Sequence, residues 1–194
     1  MNIKQQQQIR AFLIREFGED KGSALFSLEE SRLDVIIAGT ENKTKNQMKT
    51  LTQTILPRVA LYKALQESDC SEEEVEGAMR RYMLDVVAVH KHRATARMEW
   101  IPGFYAVYSR VFLWIMRTTD LQVSTQKSGS DYYDITIQKC LWHTACVENG
   151  CPELCRLFCD VDDVTYGGLQ KIGFSRSQTL GDGGSCCYFH FFRK

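Results

Sequence analysis

Seven of the eight cysteines lie in the last third of the 194-residue chain, where thiols could act as nucleophiles, bind a metal or form disulfides. They are Cys140, Cys146, Cys151, Cys155, Cys159, Cys186 and Cys187. Asp162 follows Cys159 closely, and Arg176 comes 14 residues after Asp162. A nucleophilic thiol needs a base or a cation nearby, and a carboxylate can take a proton from water. This segment therefore carries the strongest candidates for chemistry.

A metal site is a second interpretation of the same cysteines. Cys155 and Cys159 are four residues apart and would share one face of a helix, with Cys140 or His143 as possible further ligands. Structural zinc sites usually contain two closely spaced ligand pairs, and the chain does not contain two such pairs. Buried cysteines also occur simply as small apolar residues. We therefore expect no cofactor, and zinc or iron remains the alternative.

Composition and charge exclude several classes of protein. Lys and Arg (24) balance Asp and Glu (24), and hydrophobic residues make up 44% of the chain, as in an ordinary globular protein. Without a basic face, nucleic acid and membranes are not expected as partners, and a small molecule is. The first 20 residues lack the apolar core of a signal peptide. We therefore expect a cytoplasmic protein with reduced thiols.

The first 118 residues have helical patterns. Helices are predicted over residues 1–18, ending at Gly18, over 22–38, and over 44–68, where Pro57 should kink or split the helix. Ser71 and Glu74 have the spacing of a capping box at the start of the next helix. The apolar segment from Trp100 to Arg117 predicts a buried helix.

The pattern changes after residue 118. Alternating residues predict strands at 131–138, 172–180 and 186–192, and the last two should form a hairpin. Cys140 would end the first of these strands and Cys187 would begin the last, so both could lie at one end of the sheet. The predicted class is α+β, in one domain of residues 1–194. Residues 1–118 form its mainly helical part and residues 119–194 its cysteine-rich α+β part, which carries the candidate site.

An ordered set of motifs resembles the L-2-amino-thiazoline-4-carboxylic acid hydrolase family over about residues 130–192. The motifs are Ile135-Thr-Ile-Gln-Lys-Cys140, Pro152-Glu-Leu154, Phe158-Cys159-Asp160-Val161-Asp162, Phe174-Ser-Arg-Ser-Gln-Thr179-Leu180 and Gly183-Gly-Ser-Cys-Cys187-Tyr-Phe189. The resemblance implies a hydrolase of cysteine metabolism that opens a sulfur-containing cyclic amidine and yields a carbamoyl-cysteine.

The positions that match the family include six candidate site residues. In a hydrolase, Asp162 would act as general base, Cys159 or Cys187 as nucleophile or hydrogen-bond partner, and Arg176 would hold the substrate carboxylate. The resemblance also places Cys140 and Thr179 in substrate binding.

Two positions depart from the family pattern. Tyr188 stands where Asp is usual, and Lys139 stands where Arg is usual. The closing Gly-x-x-x-Cys-x-Phe pattern also resembles the small-molecule-binding domain related to 4-vinyl reductase. A sensor domain that binds a small molecule or a metal without catalysis is therefore the alternative function.

Overall fold

The computed structural model describes residues 3–194 and divides into two compact units. The first unit comprises the residues up to Tyr82 together with Ala145–Leu154, and the second comprises Met83–Thr144 and Cys155–Lys194. Helices occupy the front of the chain, and all strands of the described residues lie after residue 121. The predicted α+β class is confirmed.

The helices of the first unit begin and end at residues that the sequence marks. They are α1 (Ile3–Phe17), α2 (Glu19–Ala38), α3 (Lys45–Thr50), α4 (Leu56–Glu67) and α5 (Glu72–Arg81). Gly18 has a φ of 83° and separates α1 from α2, so α2 starts three residues before its predicted start. Residues 1 and 2 of the predicted first helix lie outside the described residues.

Pro57 affects the helix around it, as predicted. A π-helical segment, Leu51–Ile55, separates α3 from α4 directly before the proline. Proline has no amide hydrogen, and its ring clashes with the carbonyl four residues earlier, so a regular helix cannot continue. The predicted capping box also forms, because the Ser71 hydroxyl accepts a hydrogen bond from the Glu74 amide, and the Glu74 carboxylate accepts one from the Ser71 amide.

The second unit contains an antiparallel sheet of four strands. Their order is β1 (Gln122–Ser128), β2 (Tyr132–Cys140), β4 (Cys187–Arg193) and β3 (Ile172–Gln178). The predicted pairing of the last two strands is confirmed, and β4 also pairs with β2. The alternation of side chains puts Ile135 and Ile137 on the same sheet face as Cys187 and Phe189. This buried face forms the core of the unit, and we call it the inner face.

The remaining helices after Tyr82 follow a second π-helical segment, Tyr82–Ala88. They are α6 (Val89–Met98), α7 (Phe104–Thr118), α8 (Leu141–Glu148) and α9 (Leu154–Tyr166). Phe104 and Leu113 of α7 pack in the core with the inner face. None of the described helices has both the length and the apolar character needed to cross a bilayer.

The prediction that the segment from Trp100 to Arg117 is buried is wrong for much of it. Trp100 is 89% exposed and Trp114 is 64% exposed, and Val107 and Val111 are exposed as well. Apolar residues occupy both sides of α7, whereas only one side faces the sheet. The hydrophobicity of the segment therefore predicts a helix but not which residues it buries.

Candidate functional site

One face of α9 gathers several candidate side chains within the second unit. Cys155, Cys159, Asp162 and Tyr166 are separated by four, three and four residues, which places them along one side of a helix. The helix begins at Leu154, two residues after Pro152, so Cys151 lies outside it. The spacing of Cys155 and Cys159 thus indicates their common face correctly.

Four thiols and one hydroxyl form a cluster where β2 ends and β4 begins. The side chain of Cys159 hydrogen-bonds with those of Cys155 and Thr179. Cys187 interacts electrostatically with Cys159 and with Cys140. We call Cys140, Cys155, Cys159, Cys187 and Thr179 the thiol cluster.

Backbone groups and a carboxylate hold the cluster in place. The Leu180 amide donates a hydrogen bond to Cys187 Sγ at 3.3 Å. Thr179 is fully buried, and its Oγ1 donates to Asp182 Oδ2 at 2.8 Å while accepting from the Asp182 amide at 3.1 Å. Both hydrogen bonds are with Asp182, and they fix the orientation of the Thr179 hydroxyl that contacts Cys159.

The environment of the cluster favours the protonated form of Cys140, Cys159 and Cys187. Burial raises the pKa of Cys140 to about 12. The pKa of Cys159 is raised further, first by the hydrogen bond with Cys155 and then by burial. Burial also raises the pKa of Cys187, although the Leu180 amide and Arg176 oppose the shift. Only a thiolate is a strong nucleophile, so these thiols are suited to hydrogen bonding rather than to covalent attack.

Arg176 extends from β3 on the inner face, because it lies opposite Phe189 in the sheet. Its side chain is 11% exposed, and Nη2 pairs with Asp163 at 2.7 Å and with Asp160 at 3.3 Å. Nη1 is buried and, among the described residues, has no hydrogen-bond partner. One edge of the guanidinium is thus held by two carboxylates, whereas the other can still donate.

Asp162 has the environment of a general base. Burial raises its pKa to about 6, against the opposing effects of Lys91 and Arg176. It also interacts electrostatically with Tyr108 and Tyr166, whose hydroxyls hydrogen-bond to each other at 3.1 Å. A carboxylate with a pKa near 6 is ionised at neutral pH and can still accept a proton.

The six residues selected from the sequence all lie in the second unit. Four of them belong to the thiol cluster, Asp162 and Arg176 interact with each other, and Arg176 also interacts with Cys187. Cys155 was not selected as a site residue from the sequence, although its spacing of four residues from Cys159 places the two on one helix face. Lys91 and Tyr108 were missed because nothing in their local sequence indicates that they approach Asp162.

The other cysteines of the cysteine-rich segment lie elsewhere. Cys146 and Cys151 are buried in the first unit. Within residues 3–194, no disulfide joins any of the eight cysteines. In the same described range, no group of three or more His, Cys, Asp or Glu side chains is arranged to hold a metal ion.

Tyr188, one of the two departures from the family pattern, does not face the thiol cluster. It lies opposite Thr136 in the sheet and alternates with Cys187 and Phe189, so it extends from the other sheet face. There its hydroxyl hydrogen-bonds with Asp134, which also pairs with His190 at 2.6 Å. The missing carboxylate therefore does not alter the inner face directly.

Comparison with known proteins identifies the family of the chain. Residues 47–191 match the family described as L-2-amino-thiazoline-4-carboxylic acid hydrolase. No curated protein matches the chain. The family match covers about three quarters of the chain and includes every residue of the thiol cluster, Asp162 and Arg176. The chain belongs to this family.

Proposed function

We propose that this member of the L-2-amino-thiazoline-4-carboxylic acid hydrolase family opens a thiazoline-type cyclic amidine that carries a carboxylate. The family match across residues 47–191 carries this proposal. It is supported by the proximity of Asp162 to Arg176 and of Arg176 to the thiol cluster, because these groups suit a small acidic substrate.

In the proposed reaction, water adds to the amidine carbon, which is bonded to the ring sulfur, the ring nitrogen and the amino group. Collapse of the tetrahedral adduct breaks the bond to the ring sulfur or the bond to the ring nitrogen. Both protons of the water end on the product: if the C–S bond breaks, one is on the ring nitrogen and one on the sulfur, and if the C–N bond breaks, both are on the departing nitrogen. The product is a carbamoyl-cysteine in either case. Atoms balance with one water molecule, so no oxidant, reductant or cofactor is needed.

Asp162 is the general base in this scheme. With a pKa of about 6, it is mostly ionised at pH 7 and accepts a proton from the attacking water. The same carboxyl group, now protonated, returns the proton to the leaving sulfur or nitrogen. Lys91 and Arg176 keep the pKa of Asp162 from rising further, which preserves the base form near neutral pH.

The other candidate residues bind and orient the substrate. Arg176 donates from Nη1 to the substrate carboxylate while Asp160 and Asp163 hold its opposite edge. Cys159 and Cys187 act as neutral hydrogen-bond partners of the ring, and Cys140 and Thr179 complete the wall. The substrate is the partner that we propose, without nucleic acid or membrane. The site of action is the cytoplasm, where thiols stay reduced and cysteine metabolism takes place.

Incubation with L-2-amino-thiazoline-4-carboxylic acid tests the proposal, with carbamoyl-cysteine quantified by mass spectrometry. We expect turnover by the wild type, and turnover within about tenfold of it for Cys159→Ser and Cys187→Ser, because a hydroxyl can replace a neutral thiol as a hydrogen-bond partner. Cys70→Ser, in the first unit, is the control. Absence of turnover by the wild type contradicts the function. Complete loss in Cys159→Ser or Cys187→Ser would instead identify that cysteine as a nucleophile.

A further inference from the structure

A pocket of about 630 Å³ lies in the second unit, at the end of the sheet where β1 turns into β2. Its wall contains the first turn of α7, the turn Ser128–Ser130, and the residues at the start of β3 and the end of β4. This volume falls within the range of about 300–1,000 Å³ that small-molecule sites occupy. The pocket is therefore large enough for a metabolite.

The lining of this pocket is basic. It includes Arg110, Lys171, Arg193 and Lys194, and no residue of the lining is acidic. The chain as a whole has a formal net charge of zero, so this grouping is not a consequence of a basic composition. Like charges that share a pocket repel one another, and a bound anion would relieve this repulsion.

The two acidic groups next to the pocket, Glu99 and Asp131, are fewer than the four cations of its lining. The carboxylate of Glu99 accepts hydrogen bonds from the amides of Gln170 and Lys171, and its negative charge remains beside Lys171. The Lys171 ammonium group donates to the Glu99 backbone carbonyl, and that of Lys194 donates to the Leu169 carbonyl at 2.7 Å. These carbonyl partners are neutral, so they position both ammonium groups without cancelling their charge. The charge of Asp131 raises the pKa of Tyr105, and the charge of Arg193 lowers it.

Neutral donors line the same pocket. α7 has 15 residues, and its N-cap residue Gly103 provides no side-chain cap. The Phe104 amide donates to the Ile101 carbonyl at 3.1 Å, so the next two amides of the first turn are the donors that this helix end offers to a ligand. Ser128 contributes a hydroxyl to the lining, whereas the hydroxyls of Ser109 and Ser130 already donate to the Ala106 carbonyl and to the Asp131 carboxylate. Tyr133 also lines the pocket and is 1% exposed, and its buried hydroxyl has no hydrogen-bond partner among residues 3–194.

The pocket lies far from the thiol cluster. Tyr132, in the lining, begins β2, and Cys140 ends it. Eight residues of strand separate the two, which corresponds to about 26 Å. β4 runs between the same two regions, from Cys187 in the thiol cluster to Arg193 in the pocket. A ligand in the pocket therefore cannot also contact the thiols unless it is long.

We propose that this pocket binds a small phosphorylated molecule, at a site separate from the thiol cluster. Two guanidinium groups, two ammonium groups, a serine hydroxyl and a helix N-terminus are donors from which phosphate oxygens readily accept hydrogen bonds. Tyr105, Tyr132 and Phe104 supply rings against which the rest of the molecule packs.

Titration calorimetry of the full chain with inorganic pyrophosphate tests the proposal. We expect saturable binding at one site per chain. The double variant Arg110→Gln/Arg193→Gln should weaken it at least tenfold, because two charge-assisted hydrogen bonds are lost. The matched control is Arg93→Gln/Arg97→Gln, which removes two charges from exposed residues of α6 outside the lining and should bind like the wild type. Thermal unfolding of both double variants verifies that they are folded.

Four results would overturn the proposal. The first is no saturable binding of pyrophosphate by the wild type, and the second is equal affinity of the two double variants. The third is competitive displacement of pyrophosphate by L-2-amino-thiazoline-4-carboxylic acid, which would make the pocket the substrate site instead of a separate one. Binding of citrate as tight as that of pyrophosphate would contradict the choice of phosphate over carboxylate.

Discussion

Replacing Asp162 with Asn should stabilise the protein and abolish its activity at the same time. The folded protein raises the pKa of this carboxyl group from 3.8 to about 6, mainly by burial. A raised pKa means that the folded state favours the protonated form. Burial of Asp162 therefore costs no stability below about pH 4, where the group is protonated in both states. Stability is lost as the pH rises through 6, because the folded protein must then hold a buried carboxylate.

The size of this effect follows from the shift. Roughly two pKa units at about 1.4 kcal/mol each set an upper limit of about 3 kcal/mol. The solvent-accessible surface of Asp162 shows that the residue is only half-buried. Solvent screening therefore reduces the effect, and we expect about 1–2 kcal/mol. Asn has nearly the same shape without the charge, so Asp162→Asn should raise the free energy of unfolding by this amount at pH 7.5 and change it little at pH 4.

Urea unfolding at the two pH values measures the change in stability, and ring opening measures activity. Loss of a general base lowers the rate by about 10²- to 10⁴-fold. Asp85→Asn, at an exposed position in the second unit, removes one charge without this environment and should change neither quantity. A destabilised Asp162→Asn variant, or an increase in stability that is equal at both pH values, would refute the electrostatic reasoning.

Three further variants or reagents test other parts of the account. Ser71→Ala should lower the free energy of unfolding by about 1 kcal/mol, because it removes the α5 cap, and a circular-dichroism melt measures this loss. An unchanged melting temperature would contradict a stabilising cap. Arg176→Gln should raise KM for the thiazoline acid at least tenfold and affect kcat less. The Arg156 side chain is 71% exposed, so Arg156→Gln should leave KM unchanged. Equal effects of the two substitutions on KM would contradict the role of Arg176. Iodoacetamide at pH 7.5, followed by peptide mapping, should modify Cys70 and Cys186 first. Cys140, Cys159 and Cys187 should react slowly because their pKa values are raised. Early modification of these three thiols would contradict the raised pKa values.

Local signals in the sequence were sufficient for most helices and for three strands. Glycine, proline and capping residues act within a few positions, so Gly18, Pro57 and Ser71 could be interpreted without tertiary information. β1 was missed because its sequence, QVSTQKS, is largely polar and its residues are half-buried at most. Its conformation depends on pairing with β2, which composition does not reveal.

The thiol cluster could be anticipated in part because strand ends and helix spacing place residues predictably. Cys140 ends β2 and Cys187 begins β4, as expected, and antiparallel pairing brings these two ends together. The partners of Arg176 were not foreseen, since its ion pairs with Asp160 and Asp163 depend on how α9 crosses the sheet. Lys91 approaches Asp162 from 71 positions away, and no local pattern encodes that contact.

The basic pocket is a feature that sequence patterns conceal. Its four cations come from α7, the start of β3 and the end of β4, so they form no run in the sequence. The balanced net charge also masks them, because it averages over the whole surface. A neutral composition therefore argues against a broadly basic surface but not against a local anion site.

The pH dependence of kcat/KM for L-2-amino-thiazoline-4-carboxylic acid tests the central claim most directly. We expect kcat/KM to rise with pH through about 6, as Asp162 ionises, and this rising limb to be absent in Asp162→Asn. Carbamoyl-cysteine should be the product throughout. Absence of turnover, or a rate that does not change between pH 5 and pH 7, would contradict the assignment of Asp162 as the base of a ring-opening hydrolase.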